Sequence, residues 1–290
     1  MNEDSATQIT RVLDPGRPLP APEEVAGFRL GGLVGSGAMG SVYLAQNIAT
    51  GEMGAAKVVP IGTTLQRARF RRSVSVRLEV RHPGILPLQA HDETGEMGVL
   101  VSPLMHPSSV AEALPAQGWS FDEVADLLGP IAGALDELHR FDWVHRDVKP
   151  DNVLLQGDRA FLADYGLAKR YLSGLQDSGR FPLAIDEDTR PNAVCGTPIY
   201  MSGQRLQGKP ARPSDDVYAF ALMVVELLTG TVPGSGPGTT FLKLADSRID
   251  RHLHLGRLPC PSALRKALLA ALGPRNKGRP SAGDFEALLS

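Results

Sequence analysis

The sequence predicts an α+β protein, with a mostly β-sheet amino-terminal third that carries one helix and a mostly helical remainder. Three observations point there. Short β-rich runs punctuated by glycine fill the chain up to about residue 102, and apolar residues recur at helical spacing from Ser120 onward. The composition, 42% hydrophobic and 21% charged over 290 residues, is that of a soluble globular chain long enough for one large or two intimately packed domains.

Residues 1–27 hold Pro15, Pro18, Pro20 and Pro22 and few large apolar side chains, which predicts a flexible tail. From Phe28 the run FRLGGLVGSGAMGSVYLAQN places β-rich segments at 28–34 and 41–46 around a glycine cluster, a hairpin with a glycine loop at its tip. A third strand is expected at 53–60, a helix at 64–81, and two further strands at 85–89 and 97–102. Ser120 with Glu123 forms a capping box, and Val124, Leu127, Leu128, Ile131, Leu135 and Leu138 mark one face of a long helix ending near Arg140. Further helices are expected at 215–229, behind Pro213 and Ser214, at 262–272, and at 281–289 with Ser281 as cap. The stretch GTVPGSGPGTT, 230–240, reads as a surface loop.

A net charge of −2 and a pI near 6.4 give no field that would draw the chain onto nucleic acid, so no such partner is expected. The two cysteines, Cys195 and Cys260, lack metal-ligand spacing and suit a reduced, cytoplasmic setting. The first ten residues carry acids where a secretory signal carries bases. The longest apolar stretch, 219–228, contains Glu226 and is far shorter than the ~20 residues of a membrane span.

Gly35, Gly37 and Gly40 spell G-x-G-x-x-G with Val42 behind. Such glycines let backbone N–H groups approach phosphate, but the motif alone also fits an ordinary turn or a dinucleotide fingerprint. Here it joins two strands, whereas a dinucleotide loop runs from strand into helix. Lys57, on the third strand, alone would be an ordinary surface charge; beside a glycine hairpin it becomes a candidate phosphate partner.

The stretch HRDVKPDNVLL at 145–155, followed by Asp164-Tyr165-Gly166 and later by GTPIYM, resembles the eukaryotic-type serine/threonine protein kinases, including their bacterial members. The resemblance runs from about Phe28 to Leu289 and implies a bilobal protein-kinase fold over 28–290, with lobes at about 28–104 and 105–290. It implies ATP as cosubstrate, Mg²⁺ or Mn²⁺ as metal, and protein substrates. By that resemblance Asp147 orients the attacking hydroxyl and accepts its proton, Lys149 contacts the γ-phosphate, Asn152 and Asp164 hold the metal, and Lys57 meets the α- and β-phosphates. Val42, Ala55 and Leu154 would enclose the adenine, Ser102 would be the gatekeeper, and Pro103 and Met105 would offer it a carbonyl and an N–H. Arg146 marks kinases whose activation segment is ordered by phosphorylation; of Ser173, Ser178 and Thr189, Thr189 is the favoured acceptor. Thr197 is expected near Asp147 in a structural role, and Asp216 on the backbone of the His145-Arg146-Asp147 turn. Thr7 and Thr10 resemble sites read by forkhead-associated phosphothreonine domains, with an inert linker as the competing reading.

Two departures stand out. The helix glutamate that partners the strand lysine in the family is here Ser73, and no acid lies between Thr63 and Leu78. The helix instead carries Arg67, Arg69, Arg71, Arg72, Arg77 and Arg81, read as a mostly solvated basic face or a docking face for an acidic partner. Ser202-Gly203-Gln204 replaces Ala-Pro-Glu, so the usual ion pair with Arg279 is expected to become a Gln204–Arg279 hydrogen bond. The expected function is therefore a serine/threonine kinase with weakened positioning of Lys57, the alternative being a pseudokinase that signals by conformation.

Overall fold

The computed structural model describes residues 18–37, 40–105, 109–171, 196–233 and 258–290. The chain forms two compact units. The first comprises the residues up to Gly62 together with Leu88–Leu104; the second comprises Thr63–Pro87 and Met105–Ser290.

The first unit is a six-stranded antiparallel sheet in the order β1-β2-β3-β4-β6-β5. Its strands are β1 (Glu24–Val25), β2 (Phe28–Gly37), β3 (Gly40–Asn47), β4 (Met53–Pro60), β5 (Ala90–Thr94) and β6 (Met97–Pro103). Period-2 alternation buries Ala45, Ala56, Val58, Val99 and Val101 on one face, against Leu19, Val25 and Phe28. The sheet begins earlier than the sequence suggests. Leu19 is buried, its N–H donates to Ser41 Oγ at 3.0 Å, and the Tyr43 hydroxyl donates to its carbonyl. Ala26 and Gly27, both at positive φ, turn β1 back onto β2. Within the expected 1–27 tail, Glu24–Val25 thus pairs with β2 and Leu19 is buried against β3; residues 1–17, with Thr7 and Thr10, lie outside the described residues.

The strand expected at 85–89 is also corrected. Pro87 has no N–H to give a ladder, and Ile85 and Leu86 lie within the second unit, where they bridge to Leu162. The fifth strand is the polar Ala90–Thr94, which tolerates polarity because it lies at the sheet edge.

In the second unit, helices α1 (Thr64–Glu79), α2 (Val110–Ala113), α3 (Phe121–Arg140), α4 (Gly203–Leu206), α5 (Pro213–Thr229), α6 (Ser262–Ala271) and α7 (Ala282–Leu289) are joined by short ribbons. Ser120 caps α3 and Ser281 caps α7, each in a capping box. Apolar stripes of α3 and the almost wholly buried α5 form the core with Leu264, Leu268 and Phe285. The ribbons are β7 (Trp143–Val144) with β10 (Lys169–Arg170), and β8 (Val153–Gln156) with β9 (Arg159–Leu162). Helix α1, which the sequence assigns to the sheet-rich part, packs here on the turn Tyr165–Leu167 and contributes Val76 to the helical core.

Candidate active site

The candidate residues fall into both units. In the first, the register pairs Gly35 with Val42, Val42 with Lys57 and Lys57 with Leu100, while Ala55 pairs with Ser102. Directly opposed residues share a face, so Val42, Ala55, Lys57 and Ser102 lie together on the face opposite the buried alanines and valines. The three glycines differ. Gly40 has φ +129°, and a Cβ there would stand 2.3 Å from the Val58 carbonyl oxygen, so the fold itself demands glycine. Gly35 and Gly37 have open space where a Cβ would stand, an unfilled approach of the kind a phosphate needs.

In the second unit the segment His145–Asn152 leaves β7 and closes in a 3₁₀ turn at Pro150–Asn152. Arg146 takes φ +73°, a strained conformation for a long side chain. Buried Asp216, in the first turn of α5, holds it: one carboxylate oxygen accepts the Arg146 N–H at 2.8 Å, the other the His145 N–H at 2.7 Å and His139 Nε2 at 2.9 Å. The expected role of Asp216 is thus what the geometry displays.

Asp147 is surrounded by donors. Its Oδ1 accepts from Thr197 N at 2.9 Å and Thr197 Oγ1 at 3.0 Å. Its Oδ2 accepts from Asn152 Nδ2 at 3.0 Å and faces Lys149 Nζ at 3.5 Å. Lys149 also donates to Thr197 Oγ1 at 2.8 Å. Thr197 can come this close because Gly196, at φ +113°, lies against the His145–Asn152 segment; a Cβ there would be 2.7 Å from the Arg146 carbonyl oxygen.

Asp164 sits in the left-handed region at φ 60°, opening the turn Tyr165–Leu167 and accepting the Gly166 N–H at 3.4 Å. Tyr165 is buried edge-on to His145 with 5.2 Å between ring centres, and its hydroxyl donates to the Leu162 carbonyl at 2.6 Å. Burial pushes that hydroxyl far above the ordinary tyrosine range. The hydroxyl that distinguishes Tyr165 from phenylalanine is therefore satisfied in the core. Met105 and Leu154 pack with Leu86, Phe161 and Ala163 in a small apolar cluster. Thr189, Ser173 and Ser178 lie outside the described residues.

The donor set fits a hard divalent ion. Asn152 directs its amide nitrogen to Asp147, at 2.7 Å from the backbone oxygen and 3.0 Å from the carboxylate, so its carbonyl oxygen points elsewhere. That oxygen and the Asp164 carboxylate would match the one or two protein donors that Mg²⁺ usually takes beside phosphate and water. Among the described residues no cluster of three or more His, Cys, Asp or Glu side chains offers a closed cage.

At the two departures the structure adds what sequence reasoning missed. Arg279 Nη2 donates to Gln204 Oε1 at 3.2 Å, as expected, but its charge faces the Asp215 carboxylate, 3.7 Å from Nη1. Asp215 in turn accepts from Ser202 Oγ at 2.6 Å, and burial raises its pKa despite that bond. At the other departure Ser73 is buried, and so is Arg77 one turn later, which corrects the solvated reading for that arginine. Arg72 donates to the Gly166 carbonyl at 2.9 Å. Glu79, at the far end of α1, accepts Arg170 Nη2 at 2.7 and 2.5 Å and Trp143 Nε1 at 3.1 Å. No periodicity within 64–81 distinguishes Arg77 from the other arginines, since they occur on every side of the helix.

The family described as Protein kinase domain matches residues 28–259. The chain is 29% identical to serine/threonine-protein kinase PknJ of Mycobacterium tuberculosis over 284 residues, 92% of this chain and 45% of that protein. It is 29% identical to serine/threonine-protein kinase pkn2 of Myxococcus xanthus over 217 residues, 72% of this chain and 25% of the relative. To serine/threonine-protein kinase AtPK2/AtPK19 of Arabidopsis thaliana it is 29% identical over 227 residues, 74% of this chain and 45% of the relative. The chain thus spans a quarter to less than half the length of these relatives.

Proposed function

The chain belongs to the protein kinase family, and on that footing we propose that it transfers the γ-phosphate of ATP to serine or threonine hydroxyls of proteins, itself included. The observation that carries this reading is the set of donors fixing Asp147: Thr197, Asn152 and Lys149. A carboxylate so held can face a substrate hydroxyl in one orientation and accept its proton as the hydroxyl oxygen attacks. Lys149 makes the longest contact with Asp147, and turning toward phosphate oxygens when substrate arrives would exchange its 2.8 Å bond to Thr197 Oγ1 for charge-assisted ones. Asn152 and Asp164 would hold Mg²⁺ or Mn²⁺, which when bound supplies charge neutralisation at the phosphates. Gly35 and Gly37 let backbone N–H groups approach those phosphates, Lys57 pairs with them, and Val42, Ala55, Ser102, Met105 and Leu154 take the adenine. Arg146 is the receptor for a phosphate on the activation segment, Thr189 being the acceptor proposed.

The relatives named above are all serine/threonine-protein kinases, which supports this reading over a pseudokinase. Protein substrates are the partners it implies, and a forkhead-associated reader of Thr7 or Thr10 is a further part of it. No helix among the described residues is long and apolar enough to cross a membrane; a cytoplasmic site of action is part of the proposal. The test is intact-mass detection of phosphate added to the purified chain by Mg-ATP. Addition by the wild type and none by Asp147→Asn is the expected result. Undiminished addition by Asp147→Asn refutes it, because another enzyme would then supply the phosphate.

A further inference from the structure

The glycine hairpin is held by a stretch of chain that precedes residues 28–259, the part matched by the kinase family. The hairpin of β2 and β3 runs from a base where Phe28 pairs with Asn47 to a tip where Gly37 pairs with Gly40. Residues 19–27 lead down it from tip to base before β2 returns. At the base the Gly27 carbonyl accepts the Ile48 N–H at 3.0 Å, and the Glu23 carbonyl accepts the Leu30 N–H at 2.9 Å. Pro18, Pro20 and Pro22 fix their own φ and keep Leu19 and Ala21 extended, so ordering this stretch costs little entropy. Toward the tip Leu19 is 9% exposed; its N–H donates to Ser41 Oγ at 3.0 Å, and its carbonyl accepts the Tyr43 hydroxyl. Ser41, 1% exposed, shares a second hydrogen bond, 3.3 Å long, with the hydroxyl of Ser36, the residue between Gly35 and Gly37. One hydroxyl can serve both, since it has two lone pairs and one hydrogen. Alternation along β3 puts Ser41, Tyr43 and Ala45 on the face opposite Val42, so Ser41 meets the preceding chain and the loop, not the adenine side.

We propose that Ser41 is a positioning residue for nucleotide: it ties residues 19–23, as a strap, to Ser36 and so fixes the backbone of residues 35–37 before phosphate arrives. The inference rests on the reading of Gly35 and Gly37 as the phosphate approach. A loop ordered in advance has less freedom to lose on binding, so the strap raises affinity without touching the ligand.

Tyr43→Phe removes the hydroxyl that holds the Leu19 carbonyl and keeps the ring, and Leu19→Ala keeps the N–H and removes the buried side chain. Ser36→Ala cuts the strap from the loop at the other end. The Kd of a fluorescent ATP analogue in the presence of Mg²⁺ is measured for these three variants and for each strap variant combined with Ser36→Ala, and thermal unfolding is followed in all of them. Each strap variant is expected to raise Kd about fivefold, the change that one neutral hydrogen bond is worth. Neither should raise it further in the Ser36→Ala background, where the link is already broken. An unchanged Kd in either strap variant, even with a lower melting temperature, overturns the proposal and leaves the kinase reading in place, as does an equal rise with and without the Ser36 hydroxyl. A wild type that does not bind the analogue overturns the nucleotide reading, and this inference with it.

Discussion

Replacing Asp216 by alanine is expected to cost both stability and catalysis. Asp216 is 1% exposed and accepts three hydrogen bonds at 2.7–2.9 Å, two of them from backbone N–H groups of the turn. Hydrogen bonds to a charged acceptor are each worth about 1.5–3 kcal/mol. The His139 side chain near the end of α3 is 11% exposed and so keeps some access to water, whereas the buried His145 amide and the part-buried Arg146 amide would lose their acceptor. The expected loss is therefore about 3–5 kcal/mol. Arg146 would also be released from its φ of +73°, which turns the Asp147 carboxylate away from Thr197 and Asn152. Asp216→Asn should lose less, because one amide-oxygen acceptor survives while the amide nitrogen meets a donor. Urea unfolding followed by tryptophan fluorescence reads the stability, since Trp143 begins the same segment, and autophosphorylation reads the orientation. A loss below about 1 kcal/mol in Asp216→Ala, with unchanged activity, would refute the view that this carboxylate holds the turn.

Further outcomes follow from the same structure. Gly40→Ala should destabilise the first unit, because its Cβ collides with the Val58 carbonyl, whereas Gly37→Ala should melt like the wild type and lose affinity only for nucleotide; equal melting losses in the two would contradict this. Gln204→Glu, which restores the residue usual in the family, should not stabilise: Gln204 Nε2 donates to the Pro274 carbonyl at 2.6 Å and Asp215 already faces Arg279, so a loss of about 1–2 kcal/mol is expected in thermal unfolding. The Glu79 carboxyl is held below its ordinary range, first by its hydrogen bond to Arg170. A group whose folded pKa is depressed contributes stability above its unfolded pKa and loses it as pH falls through the folded value, so the wild type should lose its advantage over Glu79→Gln on acidification below about pH 4.5. A stability difference that stays constant from neutral pH to pH 3 would show that the Glu79–Arg170 pair carries no net energy. Lys57→Met, Asp147→Asn and Asp164→Ala should each abolish phosphate transfer with the helical unit still folded, as circular dichroism would report.

The elements that local chemistry specifies were legible in the chain. Strand β4 follows from its own alternation, α3 from the Ser120 capping box and its apolar stripe, and the close grouping of Asp147, Lys149 and Asn152 from a spacing of a few residues. Such features depend on neighbours three or four positions away, and the sequence states those neighbours directly. Only the tertiary structure decided what depends on distant partners. Leu19 becomes core because Ser41 and Tyr43 bind its backbone, and the polar Ala90–Thr94 becomes a strand because β6 offers it an edge. Arg77 is buried on a helix that packs against the Tyr165–Leu167 turn, and Arg279 finds its carboxylate in Asp215, 64 positions earlier, and not in Gln204. In each of these the deciding free energy is burial against a group remote in sequence, which no local pattern of residue types encodes.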